Sequence, residues 1–170
     1  LGLKNPIYST DPLIMFHGNF TKNKNYAPPH QDWRSIQGSL NNLVIWIPLV
    51  KILSGMNTIE FVPKSHLLGL MNTEKHKWFR RIKNKNISKF KKIKIKMGDG
   101  FFFSSFLIHR SGINNSKKLR ISLQYRYNDL KDTYYLKNGL PSPYDYAKPN
   151  PKLLVKQLPT PNELKKIFRF

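Results

Sequence analysis

The clearest pattern in the chain is a strict alternation of polar and apolar side chains over residues 120–127, which predicts a β-strand. One face of this strand is polar and carries two arginines: Arg120, Ser122, Gln124 and Arg126. The other face is apolar: Ile121, Leu123, Tyr125 and Tyr127. Two arginines on one strand face favour a strand that lines a wet cavity holding an anion. Ordinary surface charge is the alternative.

Apolar and alternating segments predict further strands at 12–16, 43–49, 58–62, 92–97 and 101–108. Basic residues interleave with aromatic ones over 74–92, which predicts an amphipathic helix in part of that segment. A capping box at Thr160–Glu163 predicts a short helix that ends near Ile167. We expect the irregular segment after Tyr127 to wrap the sheet or cover a pocket mouth. The pattern indicates a mainly β protein with a few peripheral helices.

Length and composition indicate a single domain over residues 1–170 with a real hydrophobic core. The apolar fraction of 39% and the aromatic fraction of 13% exclude a disordered chain. The chain has no cysteine, which excludes disulfides and thiolate metal sites. The longest apolar run, 43–50, is too short to span a bilayer. No signal peptide is evident, so we expect a cytoplasmic protein. The first residue is Leu1 rather than Met, which is compatible with a fragment.

The net charge of +21 arises from 30 basic and 9 acidic residues. Such a charge is compatible with nucleic acid, an anionic glycan or an anionic lipid surface as a partner. A solvated surface is the more frequent explanation for charge that is spread this broadly. The basic segment 74–96 could likewise grip nucleic acid between its aromatic side chains. An insert with its charges in water is the favoured interpretation there.

Candidate metal chemistry begins with His30 and Asp32. Two residues apart on an extended chain, their side chains point the same way and could take adjacent positions on one metal ion. Pro28 and Pro29 stiffen the backbone ahead of the pair. Alone, the pair is also compatible with a strand end whose aspartate is hydrogen-bonded. His66 lacks a partner pattern, so a structural role is favoured for it.

His109 follows the apolar run 101–108, and Arg120 comes eleven residues later. Two histidines and one carboxylate on one face of Fe(II) leave three positions open, enough for a bidentate 2-oxo acid and O₂. The far carboxylate of such an acid needs a buried cation, and a guanidinium supplies two parallel hydrogen bonds. His30, Asp32, His109 and Arg120 could together meet these needs. Taken without His30 and Asp32, His109 is equally a strand cap and Arg120 a surface charge.

At this point the chain resembles the phytanoyl-CoA dioxygenase family of Fe(II)/2-oxoglutarate oxygenases. The matching pieces stand in family order over the first three quarters of the chain: HQDW at 30–33, LVIWIPL at 43–49, SGMNTIEFVPKSH at 54–66 and GDGFFFSSFLIHRSGINNSKKLR at 98–120. The last block is the most specific of them. The resemblance implies a double-stranded β-helix, a jelly-roll barrel related to the cupins.

Site roles follow from the resemblance, position by position. Three residues are implied to bind iron: His30, Asp32 and His109. Arg120 is implied to bind the C5 carboxylate of 2-oxoglutarate with help from Ser111, and Trp46 matches a pocket tryptophan. Family members usually carry a longer region before the first histidine, whereas this chain has 29 residues there. We therefore expect the chain to lack part of that region, and with it a co-substrate contact.

The implied function is a dioxygenase that uses Fe(II), 2-oxoglutarate and O₂. It would hydroxylate an unidentified small-molecule, lipid or sugar substrate through a ferryl-oxo intermediate and release succinate and CO₂. One alternative is a nucleic-acid alkyl-lesion demethylase, supported by the charge and the Arg120–Arg126 spacing. Another is a non-catalytic basic barrel that binds an anionic polymer. The sequence does not predict an oligomeric state.

Overall fold

The computed structural model describes residues 2–8, 12–18, 26–76, 79–83, 87, 89–140 and 158–168. These residues form ten strands: β1 (Pro6–Tyr8), β2 (Leu13–His17), β3 (Leu43–Pro48), β4 (Ile59–Phe61), β5 (Thr73–His76), β6 (Phe79–Ile82), β7 (Lys91–Lys92), β8 (Phe101–Ser104), β9 (His109–Ser111) and β10 (Arg120–Asp129). They also form three α-helices: α1 (Trp33–Ile36), α2 (Thr133–Lys137) and α3 (Pro161–Ile167). A 3₁₀ turn spans Ser65–Leu68. The described chain is mainly β with few helices, as predicted.

The larger sheet is built around β10. Strand β3 pairs antiparallel with one edge of β10, and β2 and β1 pair in succession with its other edge. Strand β8 extends the sheet beyond β3. The register places His17 opposite Arg120 and Trp46 opposite Gln124. Directly opposed residues share a face of the sheet, so this register brings side chains from three strands to one surface.

The smaller sheet has the strand order β7-β4-β9, and β5 and β6 form a separate hairpin. An isolated bridge joins His30 to His109 in β9. A hydrophobic cluster joins the two sheets, with Val44, Trp46 and Phe103 from the larger sheet and Ile59 from the smaller one. The polar face of β10 and His109, the first residue of β9, line one cavity.

The polar face of β10 is the buried face. Arg120 is 1% exposed and Arg126 is 7% exposed. The apolar face points outward, where Ile14 and Phe16 of β2 and Phe102 of β8 are 48%, 59% and 46% exposed. The expectation that this strand lines a cavity with its polar side agrees with this burial pattern.

The strand predicted at 101–108 forms only over its first half, as β8, and the rest is a turn that leads to β9. Strand β8 ends at Ser104, where Leu107 N–H donates to the Ser104 carbonyl over 2.8 Å and closes a turn. Phe106 is fully buried beside Trp33 in a second cluster, so the apolar character continues through the turn. Burial of a turn produced the same pattern as a continuous strand.

The helix predicted within 74–92 is wrong for the described part of that segment, which forms the β5–β6 hairpin. Cross-strand contacts hold the hairpin: Arg81 Nε donates to Glu74 over 2.7 Å. The strand predicted at 92–97 is also wrong, because β7 spans only Lys91–Lys92. Ile93 and Ile95 nevertheless pack against the core, whereas Met97 is 59% exposed.

The C-terminal helix is confirmed as α3, with both hydrogen bonds of the Thr160–Glu163 capping box formed. Leu164 of α3 is fully buried in the second cluster. The predicted wrapping tail falls largely on 141–157, outside the described residues. Within the described ranges, none of the helices has the length and apolar character to cross a membrane.

Asp129, at the end of β10, joins the first residues of the chain to the sheet. Its carboxylate accepts hydrogen bonds from the backbone N–H of Lys4, Asn5 and Lys131 and from the Asn41 amide, at 2.9–3.0 Å. Burial by itself would raise the pKa of Asp129, but these four donors outweigh it and lower the pKa from 3.8 to about 2. The ionised carboxylate therefore stabilises the folded chain.

We expect Asp129→Asn to lower the free energy of unfolding at pH 7 by about 1–3 kcal/mol, because a carboxamide cannot accept all four bonds. The folded-state pKa lies below the unfolded one, so this stabilisation is complete above about pH 4 and is lost as the pH falls toward 2. Urea unfolding of both proteins between pH 2.5 and about 7 measures it. Asp99→Asn is the control, since Asp99 is exposed and accepts one backbone bond. A wild-type-to-variant difference that does not change with pH would contradict the assignment.

Candidate metal centre

His30, Asp32 and His109 lie together although 77 residues separate Asp32 from His109. One ligand atom from each lies within 4.8 Å of the others, and all three residues are buried. Asp32 Oδ1 is 3.2 Å from His30 Nε2 and 3.7 Å from His109 Nε2. The backbone bridge between His30 and His109 positions the two rings, whose centroids are 4.2 Å apart.

The protein orients both imidazoles through their Nδ1 atoms. His30 Nδ1–H donates to the Pro28 carbonyl at 2.7 Å, and His109 Nδ1–H donates to the Leu107 carbonyl at 2.9 Å. A carbonyl oxygen can only accept, so in each neutral ring the proton is on Nδ1 and the Nε2 lone pair faces Asp32. Metal-binding histidines commonly donate their other ring N–H to an oxygen acceptor in this way.

Asp32 is the N-cap residue of α1, yet its side chain accepts no capping hydrogen bond from that helix. Its carboxylate points instead toward the two imidazoles. An aspartate at this position ordinarily binds the free N–H groups of the first turn. Asp32 therefore does not cap the helix that begins after it.

Arg120 is fully buried on the polar face of β10. Its Nη1 donates to the carbonyls of Asn57 and Gly112, and its guanidinium lies 6.0 Å from the centre of the Trp46 ring. Its Nε has no hydrogen-bond partner among the described residues. Nor does any carboxylate of those residues lie within ion-pair distance of Arg120. Neutral carbonyl groups hold the guanidinium in place, so its positive charge remains available to bind an anion.

Ser111 lies beside Arg120 in the same cavity, and its Oγ is 3.2 Å from His17 Nε2. Sequence reasoning missed His17, which is 6% exposed and stands directly opposite Arg120 in the β2–β10 register. Its Nδ1 has no hydrogen-bond partner among the described residues. The signal was available, because Leu13, Met15 and His17 are spaced two apart and share the inner face of β2.

Arg126 is the second arginine of the inner face. Its Nη2 lies 3.4 Å from Asp32 Oδ2 and donates to Gln124 Oε1 at 3.0 Å. The sequence pattern placed Arg126 on the polar face of the strand, and its spacing from Arg120 supported the nucleic-acid alternative. Its position beside Asp32 makes it part of the candidate metal centre.

Burial dominates the electrostatics of the centre. Burial, then the neighbouring His30, lower the pKa of His109 to about 4. Burial, then Arg120, lower the pKa of His17 to about 4. Burial would raise the pKa of Asp32, but Arg126 and the two histidines hold it well below its usual range. At neutral pH the centre therefore presents a neutral His109 beside a carboxylate.

These side chains line a cavity of about 180 Å³. Trp46, Ile59, Leu13 and Met15 form its apolar walls, and Arg120, Arg126 and Ser111 are among its polar groups. His66 lies elsewhere, with its ring edge-on to Phe168 at 5.0 Å, in agreement with a structural role. All six residues proposed for the site from the sequence lie in or beside one cavity.

The donor set fits a divalent metal ion. Two Nε2 lone pairs and a carboxylate oxygen converge on one region, and such groups repel each other unless a cation lies among them. Two imidazoles and one carboxylate are the ligands of non-haem Fe(II) centres with open positions. Binding of a metal by these three residues is a prediction.

Comparison with known proteins agrees with this chemistry. The family model described as phytanoyl-CoA dioxygenase (PhyH) matches residues 3–122. No curated protein matches the chain. Among solved structures, the epimerase SnoN in complex with Fe³⁺, alpha ketoglutarate and nogalamycin RO is 22% identical with a TM-score of 0.58. The match covers 73% of this chain and 50% of SnoN.

Two further solved structures share the fold. ThoJ, described as a non-heme monooxygenase, is 16% identical with a TM-score of 0.62 over 76% of this chain and 49% of its own. SnoK, described as a non-heme alpha ketoglutarate dependent carbocyclase from nogalamycin biosynthesis, is 16% identical with a TM-score of 0.55 over 83% and 60%. The chain spans about half the length of SnoN and ThoJ. At these identities the likeness establishes the fold.

Gly112 supports Arg120, and we expect Gly112→Ala to lower the free energy of unfolding by about 1–3 kcal/mol. A Cβ there would lie 2.4 Å from the Thr58 carbonyl oxygen and 2.7 Å from Asn57 Cβ, so the backbone that seats Arg120 must move. Urea unfolding measures the change. Gly100→Ala is the control, because the nearest atom to its Cβ is in the half-exposed ring of Phe102. Equal stability losses in the two variants would contradict the close-approach argument.

Proposed function

Because the chain belongs to the phytanoyl-CoA dioxygenase family, we propose that it is an Fe(II)- and 2-oxoglutarate-dependent oxygenase that acts on a small organic molecule. The observation that carries the proposal is the convergence of His30 Nε2, His109 Nε2 and Asp32 Oδ1 in one buried cavity. These three atoms would hold the iron on one face and leave the opposite face open. The solved structure of SnoN with Fe³⁺ and alpha ketoglutarate supports the choice of metal and co-substrate.

The co-substrate would lie between the metal centre and Arg120. Its C5 carboxylate requires a cation in a dry site, and Arg120 is a buried guanidinium without a carboxylate partner among the described residues. Ser111 and His17 stand beside Arg120 and offer further hydrogen bonds to that carboxylate. Trp46 forms the adjacent wall and keeps water from this end of the cavity.

The iron, when bound, supplies activation of O₂ coupled to oxidation of 2-oxoglutarate to succinate and CO₂. The protein contributes two preoriented imidazoles, one carboxylate, the buried cation of Arg120 and apolar walls that exclude water. Hydroxylation of a substrate carbon is the outcome we propose. SnoN and SnoK, described as an epimerase and a carbocyclase, indicate that this fold also hosts other outcomes.

Anaerobic addition of Fe(II) and 2-oxoglutarate should produce the weak visible absorption of a chelated 2-oxo acid. We expect His109→Ala and Asp32→Ala to abolish the band and to lower 2-oxoglutarate-dependent succinate formation at least about 100-fold, since even outer-shell partners are worth up to that factor. His66→Ala and Asp99→Ala are matched controls outside the cavity. An unchanged band in the His109 variant would remove the proposal. A folded wild-type protein without any band would favour the non-catalytic barrel.

For Arg120→Ala we expect the KM for 2-oxoglutarate to rise about 10- to 100-fold, the value of a charged hydrogen bond. The selective readout is the preference for 2-oxoglutarate over 2-oxopentanoate, which has the same chain length without the C5 carboxylate. Wild-type protein should prefer 2-oxoglutarate, and the variant should lose that preference. Arg81→Ala, an exposed arginine paired with Glu74, serves as the control. If the variant still discriminates as well as wild type, the C5 carboxylate of 2-oxoglutarate binds elsewhere.

A further inference from the structure

The two oxygens of Asp32 have different surroundings. Oδ1 faces both imidazoles, at 3.2 Å from His30 Nε2 and 3.7 Å from His109 Nε2. Oδ2 faces away from them toward Arg126, whose Nη2 is 3.4 Å distant, and it accepts no hydrogen bond from any described residue. The carboxylate is thus divided between a metal-facing oxygen and an arginine-facing oxygen.

Arg126 is held where it can act on Oδ2. It lies on the inner face of β10, six residues beyond Arg120 and opposite Val44 of β3. The same Nη2 donates to Gln124 Oε1 over 3.0 Å, and the side chain is 6% exposed. In surroundings this dry, the attraction between a guanidinium and a carboxylate oxygen is much stronger than in water.

We propose, on the basis of the function proposed above, that Arg126 is a positioning residue that holds Oδ2 and makes Asp32 a one-oxygen metal ligand. A carboxylate can bind a metal ion through one or both oxygens. Binding through both would consume one of the three open positions, and a bidentate 2-oxo acid together with O₂ needs all three. By attracting Oδ2, Arg126 opposes that second bond and preserves the open face.

A purely structural role for Arg126 predicts something else. If the guanidinium only neutralised a buried carboxylate, its removal would lower the stability of the fold. The number of positions open to water on the bound metal would stay the same. Counting those positions therefore separates positioning from simple charge compensation, and it requires neither turnover nor co-substrate.

The number of metal positions open to water can be measured with Mn(II). This ion substitutes for Fe(II) and relaxes the protons of its bound water. In wild-type protein loaded with Mn(II) alone, we expect the water-proton relaxivity of three bound waters. In Arg126→Gln we expect it to fall by about a third, because Asp32 takes one of the three positions. Arg126→Lys, which keeps the charge, should recover most of the loss. Arg110→Gln is the matched control: it also removes a cavity arginine, but one bonded to Glu60 at 2.6 Å.

The outcomes separate this inference from the proposed function. If wild-type protein binds no Mn(II), the proposed metal centre fails. If it binds Mn(II) and Arg126→Gln retains the full relaxivity, the metal centre stands and the role of Arg126 is overturned. Should Arg126→Gln not fold, Gln124→Ala decides the question by removing the anchor of Nη2. A smaller fall in relaxivity supports the role, and no fall overturns it.

Discussion

The antiparallel register of β10 against β2 and β3 determines which side chains enter the cavity, and the rest of the site depends on it. Side chains alternate along a strand, so a slip of one residue would turn Arg120 and Arg126 outward and bring Ile121 inward. The same register places His17 opposite Arg120 and Trp46 opposite Gln124. Because β10 pairs along both edges, its neighbours hold this register from two sides. Burying two guanidinium groups is costly, and a sheet that cannot easily shift its register keeps both of them inside despite that cost.

Within that frame, the centre is prepared for a cation before any cation is present. Backbone carbonyls of Pro28 and Leu107 select the histidine tautomers, and burial keeps His109 neutral. Asp32 stays ionised because Arg126 and the histidines outweigh its burial. A metal ion that bound here would find these side chains already oriented, which would lower the reorganisation cost of binding. Preorganisation here comes from the main chain as much as from the side chains.

Two short-range patterns in the sequence were informative about the site. Period-two alternation identified β10 and its polar face, and the spacing of His30 and Asp32 identified two neighbouring donors. Sequence reasoning failed where a tertiary contact decided the structure. Phe106 continues an apolar run through a turn because it packs on Trp33, so the predicted strand extends four residues beyond the end of β8. His17 was missed because its importance arises from pairing with Arg120, a residue more than one hundred positions away.

The outer face of the large sheet has a consequence for how copies of the chain meet. Ile14, Phe16 and Phe102 expose much of their apolar surface there, a face that favours association with another such surface. The charge of +21 opposes any such encounter, since like charges repel over about 8–10 Å at physiological ionic strength. Charge repulsion, rather than a polar surface on this sheet, then keeps copies of the chain apart. Concentrated electrolyte shortens the range of the repulsion and would allow the exposed apolar sheet faces of two copies to associate.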